Sequence, residues 1–223
     1  MKHIDGWLCP DILSGPGKFI KRAAVIPYAL LSWHGPRRRA IQAGAHIGTF
    51  PRMLAQYFQT VTCVEPEPAN WECLRYNIAC TSRIHAWHGM LGDQGLPVAP
   101  LNVQPHGTGG HHATTRFDRD YVLVPQYAID EWGYDDVDAI FLDTEGYELP
   151  VLHGAAQTLG RCHPLVVVED NGCSQKYGIA SGTVGQWLIQ TFGYCEVGQY
   201  GEDRIFMPGR ESLGVISMAS CSE

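Results

Sequence analysis

The chain has 223 residues, 45% of them hydrophobic and 17% charged, enough apolar content for one sizeable core and too much for a disordered chain. Sixteen Lys and Arg against 23 Asp and Glu leave a formal charge of −7, which speaks against a protein that grips nucleic acid through its phosphates. No stretch reaches the ~18 apolar residues of a membrane span, and MKHIDGWLCPDILSGPG lacks the apolar run of a secretory signal. The eight cysteines contain no CxxC pair, so reduced thiols in a cytoplasmic protein are expected rather than a structural zinc site. The basic run Arg37-Arg38-Arg39, with Lys18, Lys21 and Arg22 upstream, reads as a solvated lead-in to a strand.

In chain order, residues 1–38 form an N-terminal lead-in or lid region, in which FIKRAAVIPYALLSW predicts a helix, and residues 39–223 form a single α/β domain. Arg39 to Gly44 predicts a short buried strand ending at a glycine. A helix follows from Thr49 to Phe58, with Phe50, Met53, Leu54, Tyr57 and Phe58 at helical spacing. Thr60 to Glu65 is a β-branched strand ending in an acid. Pro66-Glu67-Pro68 stops it, and a helix over Ala69 to Ile78 and a third strand over Ile84 to Trp87 follow. Between Gly92 and Arg119 the periodicity fails, and LNVQPHGTGGHHATTRF reads as a loop or irregular hairpin. Val137 to Asp143 predicts a fourth strand, Glu148 to Leu159 a helix and Pro164 to Glu169 a fifth strand. A last helix starts at Thr183, with Thr183 and Gln186 at capping-box spacing, and Tyr194 to Met207 predicts a closing hairpin. The alternation implies a doubly wound, mostly parallel sheet with a C-terminal antiparallel hairpin.

Ligands of open α/β sheets bind beyond the carboxyl ends of the strands. Here those ends carry Gly44, Glu65, Asp143 and Glu169-Asp170-Asn171. Gly44-Ala45-His46-Ile47-Gly48 predicts a tight turn feeding a helix, where glycine permits close approach and free amides favour an anion. Glu65 follows about 20 residues on, where an acid can hold a ribose diol. Both features fit an adenosine cofactor. A dinucleotide site would want glycine in place of His46, because the pyrophosphate packs on that backbone. A cofactor without a pyrophosphate, such as S-adenosylmethionine, therefore fits better than NAD.

The segment Ala40 to Ile78, AIQAGAHIGTFPRMLAQYFQTVTCVEPEPANWECLRYNI, resembles the cofactor half of FkbM-family methyltransferases. DAIFLDTEGYELPVLHGAAQTL followed by PLVVVE is similar to that family's DxIKIDVEGxE…VLxGA…PxxxxE signature, and the resemblance covers most of Arg39 to Pro208. It implies a class I, Rossmann-like methyltransferase that uses S-adenosylmethionine, usually on a hydroxyl oxygen, here of a small molecule or sugar. The cofactor would lie across Gly44, Ala45, His46, Gly48, Glu65 and Pro66 with its methyl facing Asp143, Glu145 and Glu169. Asp93, in GMLGDQG, stands where an acid would accept from the adenine amino group. Two positions depart from the family pattern: Gln42 replaces an aspartate and Phe141 replaces a lysine.

Transfer to an alcohol needs positioning and a group to take the hydroxyl proton. Asp143 and Glu145 are the leading candidates, with helix capping as their alternative role; Glu169 is a further acid of the signature. His112 is the first choice for a base from the Gly-His loop, which also carries His106 and His111, with surface histidines of that loop as the alternative; His85 and His88 read as packed or solvated. Asp143, Asp170 and Asn171 are similar to the magnesium ligands of catechol O-methyltransferase and make an oxygen set for a hard divalent cation. Tyr147 could line the acceptor site. The rival readings are an NAD-linked oxidoreductase and a degenerate fold kept as a binding module. The pattern leaves the acceptor and the oligomeric state open.

Overall fold

The computed structural model describes residues 1–104, 107–114 and 121–209. The chain opens on a small hairpin, β1 (Lys2–Ile4) and β2 (Trp7–Cys9), which the sequence pattern does not announce. The helix expected over FIKRAAVIPYALLSW is two short helices, α1 (Gly17–Arg22) and α2 (Val25–Leu30). Pro27 explains the break: it has no N–H for the Ala23 carbonyl, and its ring crowds that turn.

The strand β3 (Arg39–Ala43) leads to α3 (Thr49–Leu54), β4 (Thr60–Glu65) leads to α4 (Pro68–Ile78), and β5 (Ile84–His88) follows. Beyond α3 the expected helix becomes a turn, in which the Phe58 amide donates to the Leu54 carbonyl at 2.9 Å and Phe58 is buried. The stretch expected as a loop or irregular hairpin belongs to a second, four-stranded sheet. It contains β6 (Met90–Leu91), β7 (Leu96–Asn102), β8 (His112–Ala113) and β9 (Tyr121–Tyr127), in the order β6-β9-β7-β8. Ala99 and Leu101 alternate inward on β7 against Met90, Ala113 and Val124, a strand pattern masked by Pro97 and Pro100.

A 3₁₀ turn (Ile129–Trp132) precedes β10 (Val137–Leu142). The next helix is split into α5 (Glu148–His153) and α6 (Ala156–Cys162). Asp130 sets the restart: its carboxylate accepts from the Gln157 amide at 2.9 Å and the Thr158 amide at 2.8 Å. The chain closes with β11 (Leu165–Glu169), α7 (Thr183–Phe192), β12 (Tyr194–Tyr200) and β13 (Asp203–Pro208). The N-cap of α7 is Gly182, so the capping box of Thr183 and Gln186 does not form.

The main sheet has seven strands in the order β12-β13-β11-β10-β3-β4-β5. Strands β3, β4, β5, β10 and β11 run parallel, and β13 runs antiparallel to both its neighbours. This is the doubly wound sheet with a C-terminal hairpin that the alternation implies. One face packs Ile26, Leu54, Phe58, Leu74 and Phe141, and the other packs Ile41, Leu142, Leu159, Leu188 and Phe206. Arg38 and Arg39 are ion-paired with Asp138 and Asp136, both at 2.7 Å, and therefore anchor the start of β3.

Candidate functional site

The strand order reverses between β3 and β10, and a cleft opens there at the carboxyl ends of β3, β4 and β10. It holds about 910 Å³ free of protein atoms, its mouth included, the size range of small-molecule sites. The β3 turn and the end of β10 are pressed together. Gly44 has φ +79°, and a Cβ there would stand 2.0 Å from the Asp143 carbonyl oxygen. Gly146 has φ +96°, and a Cβ there would meet the Cys173 backbone at 2.4 Å. Both positions therefore require glycine.

Gly44, Ala45, His46, Glu65, Pro66, Asp143, Glu145, Tyr147 and His112 all line the cleft. Gly48 does not; it caps α3 with φ +96°. The turn is not the anion cradle that its glycines suggest. The amides of Gly44 and Ala45 donate to the Val64 carbonyl, that of His46 to Glu65 Oε2, and that of Gly48 to the Ala45 carbonyl. The polar atoms that remain are on side chains. Oδ1 of Asn70 is shielded from solvent and without a hydrogen-bond partner, the ring nitrogens of His46 and Nε2 of His111 are shielded with the Thr108 backbone beside both rings, and all three residues line the cleft. A native fold rarely leaves an atom such as Asn70 Oδ1 orphaned unless a ligand completes it. Burial holds the His46 imidazole neutral, with its pKa lowered to about 3.

Glu65 is buried, and its two oxygens accept from the His46 amide at 2.7 Å and the Glu67 amide at 2.9 Å. Burial raises its pKa to about 7, against the lowering by these amides. Asp93, expected at the adenine, is exposed and is not among the lining residues, whereas Asn70, Met90 and Leu91 are. Asn70 also ties the loop over the cleft, donating to the Thr108 carbonyl at 2.8 Å. Glu145 does the same from the other side, with Oε1 accepting from the Gly110 amide at 3.1 Å. His46 and Glu145 hold φ of 50° and 55°, strain that falls on two cleft residues.

Asp143 and Glu169 meet through a residue that the sequence reading treats as solvated. Arg22 of α1 places Nη2 2.5 Å from Glu169 Oε1 and 3.3 Å from Asp143 Oδ2. Burial raises both carboxyls and Arg22 opposes it. Glu169 itself does not line the main cleft; it faces a smaller neighbouring cavity with Asp170 and Asn171. The second α1 residue on the cleft, Phe19, stacks its ring on His46 with centroids 4.0 Å apart. Phe19 and Arg22 are three positions apart and so share a helix face, the signal that could have found them. Glu148 was also missed: it is buried, and its Oε1 accepts from Thr144 and Gly146 to shape the turn after β10.

The oxygen set expected for a divalent cation does not assemble. Asp170 accepts from Ser181 at 2.6 Å, the Gly182 amide at 3.0 Å and Arg204 at 3.1 Å, while Asn171 Oδ1 accepts from the Cys173 amide at 2.9 Å. Among the described residues the carboxylates that do gather, within 4.8 Å of one another, are Asp143, Glu145 and Glu169. Arg22 already lies against two of them, so a protein cation balances the cluster. His112 has Nδ1 3.0 Å from the Gly110 carbonyl, and His88 stacks on Trp71 with Nε2 3.2 Å from the Pro66 carbonyl. His106 lies outside the described residues. Gln42 turns its amide onto the Ala43 and Gly44 carbonyls, and Phe141 is core packing beside Phe50.

Solved structures share this fold. An FkbM methyltransferase from Methylobacillus flagellatus KT aligns with a TM-score of 0.57 at 18% identity, over 81% of this chain and 47% of its own. The chain thus spans about half the length of that protein. Precorrin 8w decarboxylase from Methanobacterium thermoautotrophicum aligns with a TM-score of 0.53 at 12% identity, over 94% of this chain and 100% of its own. Precorrin-6y C5,15-methyltransferase from Geobacter metallireducens GS-15 aligns with a TM-score of 0.50 at 10% identity, over 91% and 93%. At these identities the likeness is one of fold. No curated protein matches the sequence. The family model of the methyltransferase FkbM domain matches residues 42–187, which takes in the glycine turn, Glu65, Asp143 and Glu169, and the chain belongs to the FkbM methyltransferase family.

Proposed function

We propose that this chain is an S-adenosylmethionine-dependent O-methyltransferase whose acceptor is a hydroxyl of a small molecule or carbohydrate. One observation carries the reading: in an FkbM-family chain, Glu65 and Asp143 face a single cleft beside the shielded polar atoms of His46, Asn70 and His111. Gly44, Ala45, His46, Glu65 and Pro66 would hold the cofactor, with Glu65 toward the ribose hydroxyls and Asn70 in the place expected of Asp93. The bound cofactor supplies a methyl carbon on a sulfonium; the acceptor oxygen takes that carbon as the carbon–sulfur bond breaks and its electron pair stays on sulfur.

The chain's own part is to aim the acceptor and remove its proton. Asp143 is the cleft carboxylate at the end of β10, and Arg22 lies 3.3 Å from its Oδ2. The hydroxyl proton passes to Asp143 as the new carbon–oxygen bond forms. Glu145, tied to Gly110, closes the loop over the reacting groups and excludes water. The proton transfer uses the chain's own groups, with Arg22 as the cation against Asp143 and Glu169. A cytoplasmic site of action belongs to this reading and is supported by the free thiols of the described cysteines. No helix among the described residues is long and apolar enough to cross a membrane.

The test is label transfer. The protein is incubated with methyl-labelled S-adenosylmethionine and a panel of hydroxylated small molecules and sugars, beside the Asp143→Asn variant. The reading expects label on oxygen and a loss of 100-fold or more in the variant, in line with the general-base contribution of about 10²–10⁴. Label on nitrogen or carbon, or full activity in Asp143→Asn, would contradict it.

A further inference from the structure

The helix α1 is tied to the body of the protein by two side chains, and both stand on the cleft. Its flanks are anchored. Upstream, Leu8 exchanges hydrogen bonds of 2.8 and 2.9 Å with Asn77 of α4, and Cys9 is buried. Downstream, Ala23, Val25 and Ile26 enter the core. Between these anchors, Ser14-Gly15-Pro16-Gly17 leads into a six-residue helix with no buried residue. Gly17, Lys18, Ile20 and Lys21 are exposed, while Phe19 and Arg22 are half-buried. Phe19 is held by its stack on His46, and Arg22 by its ion pairs to Asp143 and Glu169. The Arg22–Asp143 pair is open to water, with side chains 32% and 31% exposed. The helix also lies outside residues 42–187, so this wall of the cleft is not part of the family domain. A helix this short does not hold itself in water, and a segment with few buried apolar contacts opens at low free energy.

We propose that α1 is a strap across the cleft, latched by Arg22 and Phe19, which lifts to let ligands in and out. The moving piece is Gly17–Arg22, between the anchored Cys9 and Ala23. Closed, it sets the one Lys or Arg among the described lining residues beside Asp143 and covers His46. Lifted, it takes the shared cation from Asp143 and Glu169 and uncovers the β3 turn. The latch thus joins two parts of the cleft, the β3 turn through Phe19 and the carboxylates of β10 and β11 through Arg22. The strap belongs to the cleft itself and does not depend on which ligand the cleft takes.

Limited proteolysis with trypsin tests this, because cutting of a native chain follows the open population of the segment cut. The wild-type protein should be nicked after Lys18 or Lys21 before it is cut after Arg75 and Arg83 of the folded body. Arg22→Gln should speed cleavage after Lys18 by about 5- to 30-fold, in the range of a partly exposed charge-assisted hydrogen bond, and leave cleavage after Arg75 and Arg83 unchanged. High salt should speed the wild type and not Arg22→Gln, and Arg22→Lys should fall between the two. In stopped-flow measurements Arg22→Gln should also raise the association rate of S-adenosylhomocysteine, as the open fraction grows. Equal cleavage after Lys18 in wild type and Arg22→Gln, or a rise shared by every site, overturns the strap. Faster cleavage with an unchanged association rate overturns its role as a gate. Absence of S-adenosylhomocysteine binding counts against the cofactor reading alone, and the cleavage rates then decide the strap.

Discussion

Gly44→Ala is the sharpest perturbation of the contact that joins the β3 turn to the carboxyl end of β10. The native φ of +79° costs an L-residue roughly 1–2 kcal/mol. The added Cβ would stand 2.0 Å from the Asp143 carbonyl oxygen, and backbone lines that side of the contact, so β3 and β10 must part. Overpacking of this kind adds about 1–3 kcal/mol. The sum, roughly 2–5 kcal/mol, corresponds to a fall in Tm of about 4–20 °C for a chain of this size. Gly6→Ala is the control. It has φ +81° with nothing within 4 Å of the new Cβ, so it carries the conformational cost alone, about 2–8 °C. The assay is thermal unfolding of both variants by circular dichroism, with S-adenosylhomocysteine affinity measured on each. Gly44→Ala should melt lower than Gly6→Ala and lose ligand affinity. Equal melting temperatures would refute the claim that the glycine turn is packed against Asp143.

Further outcomes follow from the same contacts. Asp138→Ala should destabilise the fold by about 1–3 kcal/mol in urea unfolding, because buried Asp138 accepts from both the Arg38 amide and its guanidinium while the Arg38 left behind is exposed to water; unchanged stability would contradict the pairing. Stability should fall by roughly 1–2 kcal/mol as pH rises from 6.5 to 8.5. Burial raises Glu65 to about 7 and raises Glu169 as well, so the folded state holds protons that the unfolded state has released, and that stability is lost as pH passes through the folded values. His46, lowered by burial, opposes the fall in part, and only at the lower edge of the window, where the unfolded histidine still takes up protons. A flat or rising profile in urea titrations would count against the buried carboxyls. Glu65→Gln should weaken S-adenosylhomocysteine by about tenfold or more, since one of its two backbone partners must face an amide N–H instead of an oxygen; unchanged affinity would remove Glu65 from the ribose.

The sheet and its acidic edge were legible because their signals are local. A buried apolar run, a terminal acid and a glycine turn each sit within a few residues, which is enough to place Gly44, Glu65 and Asp143 on one edge. The small sheet was not legible, since its strands carry Pro97, Pro100 and Pro125 and pair only across the chain. Arg22 and Phe19 carry no local signal of a site, because their partners, Glu169 and His46, are distant in sequence. The metal set erred for a related reason. Position at consecutive strand ends points to Asp170 and Asn171 as ligands with Asp143, whereas the chain turns after Glu169 and gives them to Arg204, Ser181 and Cys173. The turn amides looked free because the pattern does not tell that Val64 and Glu65 accept them.

The central claim is that the cleft between β3 and β10 binds the adenosine cofactor of methyl transfer. Calorimetric titration of the purified protein with S-adenosylhomocysteine, with NAD titrated in parallel, tests it most directly. The account predicts one-to-one binding of S-adenosylhomocysteine and none of NAD. Binding of NAD without S-adenosylhomocysteine, or heat from neither, would contradict it.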